Sequence, residues 1–449
     1  MKRVNIIFAT ILLVVMTGCG GGKQSTGETI TVDVTKSNPG KESILQDFDI
    51  TESNPGKDSV LQDFMDIEHI ALETNDGLIT HEIITVDVTK SYPQKKYVLQ
   101  DFMDVEYVAL ETNDDFITQG VIQSVGKEIM VAKNRFHDGD IFIYDRNGKG
   151  LRKINRSGQG GEEYVRNYEI VLDEDNNELF ISDRSSNKIL VYDLYGIFKR
   201  SFKYIENRLC ISFYDYDRNN LICYDGNSYT GMAQVNDPGA ETFFILSKQD
   251  GSIVKKIEFP YKQKKTPLYL DLEKGVIDAP IHYPIIPHRG NHILFSRSTD
   301  TVYCYSPGHT ITPIITRIPS IQSMDPEVFL FPGIFTGRYY YMESVRKELN
   351  YETRKFPTKG LMYDRLEKSI YEATIYNSDY SGQTVSPFMK TDALWPSQSN
   401  DEIAFYIPLE PYQLVEAYEQ GKLSGKLKDI AAKLDAEDNP VIMLVKYKK

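Results

Sequence analysis

Between residue 105 and the C-terminus the chain repeats one pattern: four to seven apolar or aromatic residues, often alternating with polar ones, closed by Asp, Asn or Gly. "EIMVAK", "DIFIYDRNGKG", "ELFISDRSSNKILVYDLYG", "NLICYDG", "TFFILSKQDG", "HILFSR", "TVYCYS", "GLMYDR", "SIYEATIY", "EIAFYI" and the final "VIMLVKY" all follow it. Each run predicts a short strand with one or both faces buried, and each punctuating cluster predicts a tight turn. Helical spacing is sustained only after Pro411. There "PYQLVEAYEQ" and "SGKLKDIAAKLDAED" set Leu427, Ile430, Ala431 and Leu434 on one face of a short amphipathic helix.

The spacing of the strands sets the architecture. A Tyr-Asp pair followed by a turn occurs at Tyr144-Asp145, Tyr192-Asp193 and Tyr363-Asp364, with degenerate versions near Ser247 and Tyr305. The intervals of about 48 to 60 residues match one four-stranded sheet plus loops, the radial unit of a propeller. Residues 105–449 accommodate six such units, or seven with short loops. The fold expected is all-β, a six-bladed β-propeller with a short C-terminal helix.

The N-terminal third carries a different kind of repetition. "SNPGKESILQDFDITE" (37–52) is echoed by "SNPGKDSVLQDFMDIE" (53–68), and "ITVDVTKS" begins at Ile30 and again at Ile84. Segments 53–82 and 91–120 agree at 19 of 30 positions, far more than the blades agree with one another, which points to recent local duplication. A ring needs only one N-terminal strand to complete its last sheet. "VEYVALET" (Val105–Thr112) is the natural candidate, pairing near "VIMLVKY", because closure removes exposed edges. The earlier "IEHIALET" (Ile67–Thr74) then has no vacant place. The expected organisation is a leader over 1–18, a tether over 19–29, a duplicated extension over 30–104 and the propeller over 105–449.

Met1-Lys2-Arg3 followed by an apolar run from Ile6 to Met16 reads as a signal peptide, being too short to span a bilayer. The stretch Met16-Thr17-Gly18-Cys19 resembles the lipobox of bacterial lipoproteins. That resemblance implies cleavage before Cys19 and lipid attachment to it. The alternative is an ordinary secretory signal with a chance cysteine. "GGGKQSTGE" suits a flexible tether. Without Lys2 and Arg3 there remain 49 basic and 64 acidic residues, a formal charge near -15, which argues against nucleic acid and against peripheral binding to anionic lipid. Cys210, Cys223 and Cys304 form no CxxC pair, and a turn at Asp217–Asn220 does not set Cys210 directly opposite Cys223.

"YEIVLDEDNNELFISDRSSNKILVYDLYGIFKRSF" (Tyr168–Phe202) resembles an NHL repeat, with "SGQGGEEY" (157–164) as the Gly-rich link before it. Asp173, Asn176 and Asn177 tie its turn through bonds to backbone N–H groups, and Gly196 permits positive φ in the next hairpin. The whole chain is similar to the six-bladed propeller lipoproteins of Bacteroides-type gut bacteria. This resemblance implies a fold and an envelope location, and it implies no reaction. "GGGKQSTGE" lacks the dense acidic cluster after the cysteine associated with surface display in this group, so the anchor is expected in the outer membrane on its periplasmic face.

The candidates for chemistry are few. "LDEDNNE" lacks the spacing of a calcium loop and reads as a capped turn. "SGQGGEEY" lacks the Lys-Ser/Thr ending of a phosphate cradle. Four of the seven histidines fall at His282, His288, His292 and His309, and His288 and His292 are the candidate metal ligands, approaching one another across a turn. Zinc wants three or four converging ligands, and no carboxylate sits at ligand spacing beside them, so a singly bonded or solvated histidine competes with that reading. Otherwise no cofactor is expected. GxSxG, HExxH and Cys–His arrangements are absent, and no catalytic residue is selected. In "GIFTGRYYYMESVRKELN", Arg338, Tyr340 and Arg346 are candidate binding residues for a glycan or protein, although "GRYYYMES" reads equally as a blade strand. Two function classes follow: an envelope-anchored non-catalytic module that binds or assembles a protein or glycan partner, and an NHL-type propeller enzyme (lactonase, lyase or glycan-active hydrolase) with a channel-mouth site.

Overall fold

The computed structural model describes residues 28–31, 82–134, 138–204, 210–225, 238–271, 273–280, 282–385, 398–399 and 402–448. Five antiparallel units succeed one another along the chain. Blade 1 comprises Val121–Val125, Ile129–Lys133, Asp140–Asp145 and Gly150–Asn155; blade 2, Glu169–Asp173, Glu178–Asp183, Lys188–Asp193 and Phe198–Lys203. Blade 3 comprises Cys210–Asp215, Asn220–Asp225, Gly239–Ser247 and Ile253–Tyr261; blade 4, Ile285–His288, Asn291–Phe295, Thr301–Ser306 and Thr310–Ile318. Blade 5 comprises Val328–Phe335, Tyr339–Arg346, Thr358–Asp364 and Ser369–Tyr376.

Burial explains the sequence pattern. The first two strands of blades 1 and 2 are buried throughout, so they read as continuous apolar runs, whereas the outermost strands alternate. The apolar side chains of each blade pack against the next and form separate clusters in the gaps between blades 1 and 2, 2 and 3, and 3 and 4. One larger cluster fills the space among blades 4, 5 and 6. The Tyr-Asp pairs have a local cause. Asp145, Asp193 and Asp364 each accept two backbone N–H bonds from the following turn, which fixes the hairpin to the outermost strand.

Blade 6 is assembled from both chain ends. Ile403–Leu409 pairs with Val441–Tyr447, and Met103–Ala109 adds antiparallel as the outer strand, with Val105 opposite Val445. The expected closing strand therefore occupies its expected place. Asn439 locks the seam: its side chain donates to the Glu111 and Phe116 carbonyls and accepts from the Thr118 N–H. Two short helices, Pro411–Glu419 and Gly425–Ala431, connect the C-terminal strands and bury Leu414, Leu427 and Ala431.

The ring also recruits chain that the sequence pattern assigned to the extension. Ile84–Asp87 pairs in parallel with the outer strand of blade 4, and Gln94–Val98 does the same on blade 5. Glu28–Thr31 pairs in parallel with the outer strand of blade 3. The N-terminal segment thus visits the outer edges of blades 3, 4, 5 and 6 in order. The two "ITVD" copies cover neighbouring edges, with Ile30 opposite Ile257 and Ile84 opposite Ile315. Ile84–Asp87 and Gln94–Val98, which lie before the expected boundary at residue 105, are strands paired with blades 4 and 5. "IEHIALET" lies outside the described residues.

Candidate functional site

In each of blades 1 to 4 the turn between the first and second strands lies on one face of the ring, and these turns surround a cavity of about 280 Å³. Its wall takes Lys127 from blade 1, Asp173 and Glu174 from blade 2, Asp215 and Tyr216 from blade 3, and His288 and His292 from blade 4.

The carboxylates at the ends of the inner strands are spoken for by a lysine that sequence reasoning missed. Lys248, just beyond the third strand of blade 3, places Nζ 2.5 Å from Asp173 Oδ2 and 2.6 Å from Asp215 Oδ1. Its carbonyl accepts from the Arg200 guanidinium, which is held in turn by a bidentate pair with Glu178. Burial pushes the Asp215 carboxyl up to about 6, against the pull of the Lys248 ammonium. Against the burial that would raise Glu178, bonds from Arg200 and Lys199 hold it below the ordinary carboxylate range.

The acidic turn at residues 172–178 is a capped hairpin, as its spacing indicated. Asp173 accepts from the Asn176 N–H and side-chain amide, and Asn177 takes a left-handed φ of 53°. Glu174 reaches across to blade 1 and accepts from the N–H groups of Lys127, Glu128 and Ile129. "SGQGGEEY" links blade 1 to blade 2, with the Glu163 carboxylate accepting from the Gly160 N–H.

His288 and His292 both border the cavity, but they do not converge. In the hairpin His292 stands opposite Pro287 and His288 opposite Asn291, so the pleat sends the two imidazoles to opposite sides of the blade. His288 faces blades 5 and 6, with Nδ1 2.8 Å from the Tyr447 hydroxyl and its ring against Phe335. His292 faces blade 3, beside Tyr214 and Tyr216. The expected approach across the turn fails for this reason. Among the described residues no group of three or more His, Cys, Asp or Glu side chains could hold a metal ion. Burial depresses both imidazoles, His288 to about 3 and His292 to about 4, so both are neutral at physiological pH. His288 Nε2 and His292 Nδ1 are buried without a hydrogen-bond partner. The other two histidines of the group are engaged elsewhere, His282 stacked on Phe331 beside Glu343 and His309 against Tyr216 and Tyr305.

Arg338, Tyr340 and Arg346 form no common surface. Arg338, in the turn before the strand, pairs with the buried Asp364 carboxylate, Tyr340 is in the core, and Arg346 ends the strand paired with Glu348. The strand between them, Tyr339–Arg346, is buried through its interior and open only at its ends, which separates the two arginines from the tyrosine. Cys223 and Cys304 are buried, and Cys210 stands opposite Asp225 in the ladder.

A family model described as DUF5128, 6-bladed beta-propeller, matches residues 79–393. The chain belongs to this family. The match begins ahead of Ile84, in agreement with the blade strands found there. No curated protein matches the chain. Among solved structures it is similar to a protein of Bacteroides fragilis described as exported, at 15% identity and a TM-score of 0.50, over 82% of this chain and 100% of that one. It is also similar to a DUF4221 family member from Bacteroides vulgatus (9% identity, 78% and 100% coverage, TM-score 0.42). A virginiamycin B lyase from Staphylococcus aureus matches at 9% identity, 62% and 94% coverage and a TM-score of 0.31. The likeness to the Bacteroides fragilis protein shows the fold alone. Among the described residues no helix is long and apolar enough to cross a membrane.

Proposed function

We propose that this chain is an envelope propeller, anchored through lipid on Cys19, that works as a non-catalytic binding module and receives the hydroxyl-rich end of a glycan at the cavity among blades 1 to 4. The observation that carries the reading is the pair of neutral imidazoles in the cavity wall, each with one buried nitrogen left unpartnered. A buried polar atom without a partner marks a place completed by something else, an ordered water or a ligand group. A hydroxyl both donates and accepts, so it fits either imidazole tautomer. The volume of about 280 Å³ suits one or two sugar-sized units at the end of a longer chain. The ion pairs of Lys248 with Asp173 and Asp215 favour binding over turnover, since charge already neutralised is poorly placed to shuttle protons. Membership among NHL-type lipoproteins and a periplasmic-facing position in the outer membrane belong to the same reading and rest on the lipobox-like Met16–Cys19 stretch and the Tyr168–Phe202 repeat.

The test is a screen of the purified protein against envelope-derived oligosaccharides by calorimetry, with product analysis on the same samples. Saturable binding without product, weakened tenfold or more by His292→Phe with an unchanged melting temperature, is the expected result. Absence of binding to every oligosaccharide sinks it. One observation favours the enzyme reading: Asp215, raised to about 6 at the cavity wall, is suited to acid–base work near neutral pH. Product formation abolished by Asp215→Asn would replace the binding module with that enzyme.

A further inference from the structure

We infer that the ring has a fixed membrane-facing side, the rim of blade 3, with blade 6 turned away. This rests on the Cys19 anchor proposed above and adds the direction in which the anchor holds the ring. Only eight residues, 20–27, lie between Cys19 and Glu28, so the Cα–Cα reach is at most about 30 Å even when fully extended. Glu28 is the first residue of a strand paired along the blade 3 rim, with Glu28 opposite Lys255 and Thr31 opposite Glu258. The point where the chain leaves the lipid and the point where it joins the ring are therefore close, and the joining point is on one blade. From there the chain proceeds to the edges of blades 4, 5 and 6 and so leads away from the anchor.

The direction of the strand adds a second constraint. An outer blade strand starts at the turn from the third strand, on the face that holds the cavity. Glu28–Thr31 runs parallel to the outer strand, so its Glu28 end is on that face. The tether thus meets the rim on the cavity side.

The rim itself is chemically suited to a headgroup layer. Residues 253–265, "IVKKIEFPYKQKK", hold five lysines and one glutamate in a chain of net charge -13. Lys256 is paired with Glu258, Lys265 with Glu327, and Lys264 is buried, while the exposed apolar Val254 lies at the start of the strand, the end that Glu28 joins, and the exposed Lys262 follows its other end. An exposed apolar side chain at the end of the rim that the tether joins suits contact with a lipid surface once the anchor has brought it there. The overall negative charge disfavours binding from solution, so the lipid must act first.

The experiment uses the full-length, acylated protein in vesicles of phosphatidylethanolamine and phosphatidylglycerol that carry a nitroxide headgroup lipid. A fluorophore is attached at Val254→Cys on blade 3 or at Asp104→Cys on the outer strand of blade 6, with the unmodified chain as the blank for its own thiols. Quenching at position 254 at least threefold stronger than at 104 is expected, and lengthening the tether by thirty Gly-Ser residues after Gly22 should bring the two within experimental error. Equal quenching in the native-length protein, or stronger quenching at 104, overturns the orientation while leaving the anchor intact. Mass spectrometry of the N-terminal peptide separates the two readings, because a mature chain without acyl groups on Cys19 overturns both.

Discussion

Replacing Lys248 with methionine should destabilise the ring by leaving two carboxylates to face each other without their shared cation. Lys248 and Asp173 are nearly inaccessible, at 5% and 3% side-chain exposure, and the ammonium is 2.5 Å and 2.6 Å from its two partners. Removing one member of such a buried pair costs ~3–5 kcal/mol, because the desolvation of the remaining charge is no longer offset. For a chain of this size that corresponds to a fall of roughly 3–7 °C in melting temperature. The pH dependence follows from Asp215, whose carboxyl is already raised to about 6. A carboxyl whose folded pKa is above its unfolded one binds its proton more tightly when folded, so its contribution falls as pH rises from about 4 to 6. Without Lys248 that pKa climbs further, and the Lys248→Met protein should recover part of its loss at pH 5 relative to pH 7.5. Urea unfolding at the two pH values, with Lys248→Met/Asp173→Asn as the second arm, measures both effects. The double variant should regain at least half of the loss at pH 7.5. A deficit below ~1 kcal/mol at pH 7.5, or one equal at both pH values, would refute the reasoning that this is a buried charge cluster.

The histidines give an opposite slope: with folded pKa values near 3 and 4, stability is full above about pH 6.5 and is lost as pH falls, since the unfolded chain takes the protons first. Each imidazole should cost about 2 kcal/mol at pH 5, and His292→Gln should flatten the slope of unfolding free energy between pH 6.5 and 4; an unchanged slope would count against a buried neutral imidazole. Asn439→Ala removes three bonds across the closing seam and should lower stability by ~2–3 kcal/mol in the same unfolding assay, with a change under ~0.5 kcal/mol contradicting the lock. Gly148 has φ +87° and an added Cβ would meet the Ala109 carbonyl at 2.1 Å, so Gly148→Ala should cost more than ~1 kcal/mol in a thermal melt. Deleting residues 30–83 merges the two "ITVD" copies into one. The protein should fold, and hydrogen exchange should quicken either along Lys255–Glu258 or along Ile315–Ile318; unchanged protection of both strands would show that two copies are not needed to cover two edges.

How much was legible in the sequence depends on the range of the interaction. The blade strands, their turns and the closing role of Val105–Thr112 follow from local alternation and from Asp and Gly at turn positions, because a strand buried on both faces must be apolar and a tight turn must satisfy its own N–H groups. The edge strands at Ile84–Asp87 and Gln94–Val98 were not legible, since a four- or five-residue extended segment carries no mark of which edge it joins. His288 and His292 were correctly placed on one hairpin, but their separation depends on register: a hairpin in which His292 faces Pro287 sends them apart, and spacing alone does not reveal that pairing. Lys248 gave no signal at all, being one lysine among many until the ring brings it to carboxylates at the ends of two other strands.

The sequence by itself therefore determined the all-β repeat, the strand that closes the ring and the composition of the first 29 residues, because each is a property of contiguous residues. Tertiary structure alone decided which edges the duplicated copies cover, which carboxylates share one ammonium and which side of the blade each imidazole faces. Those depend on pairing between segments far apart in the chain, where burial and register act on residues that carry no local sign of their partners.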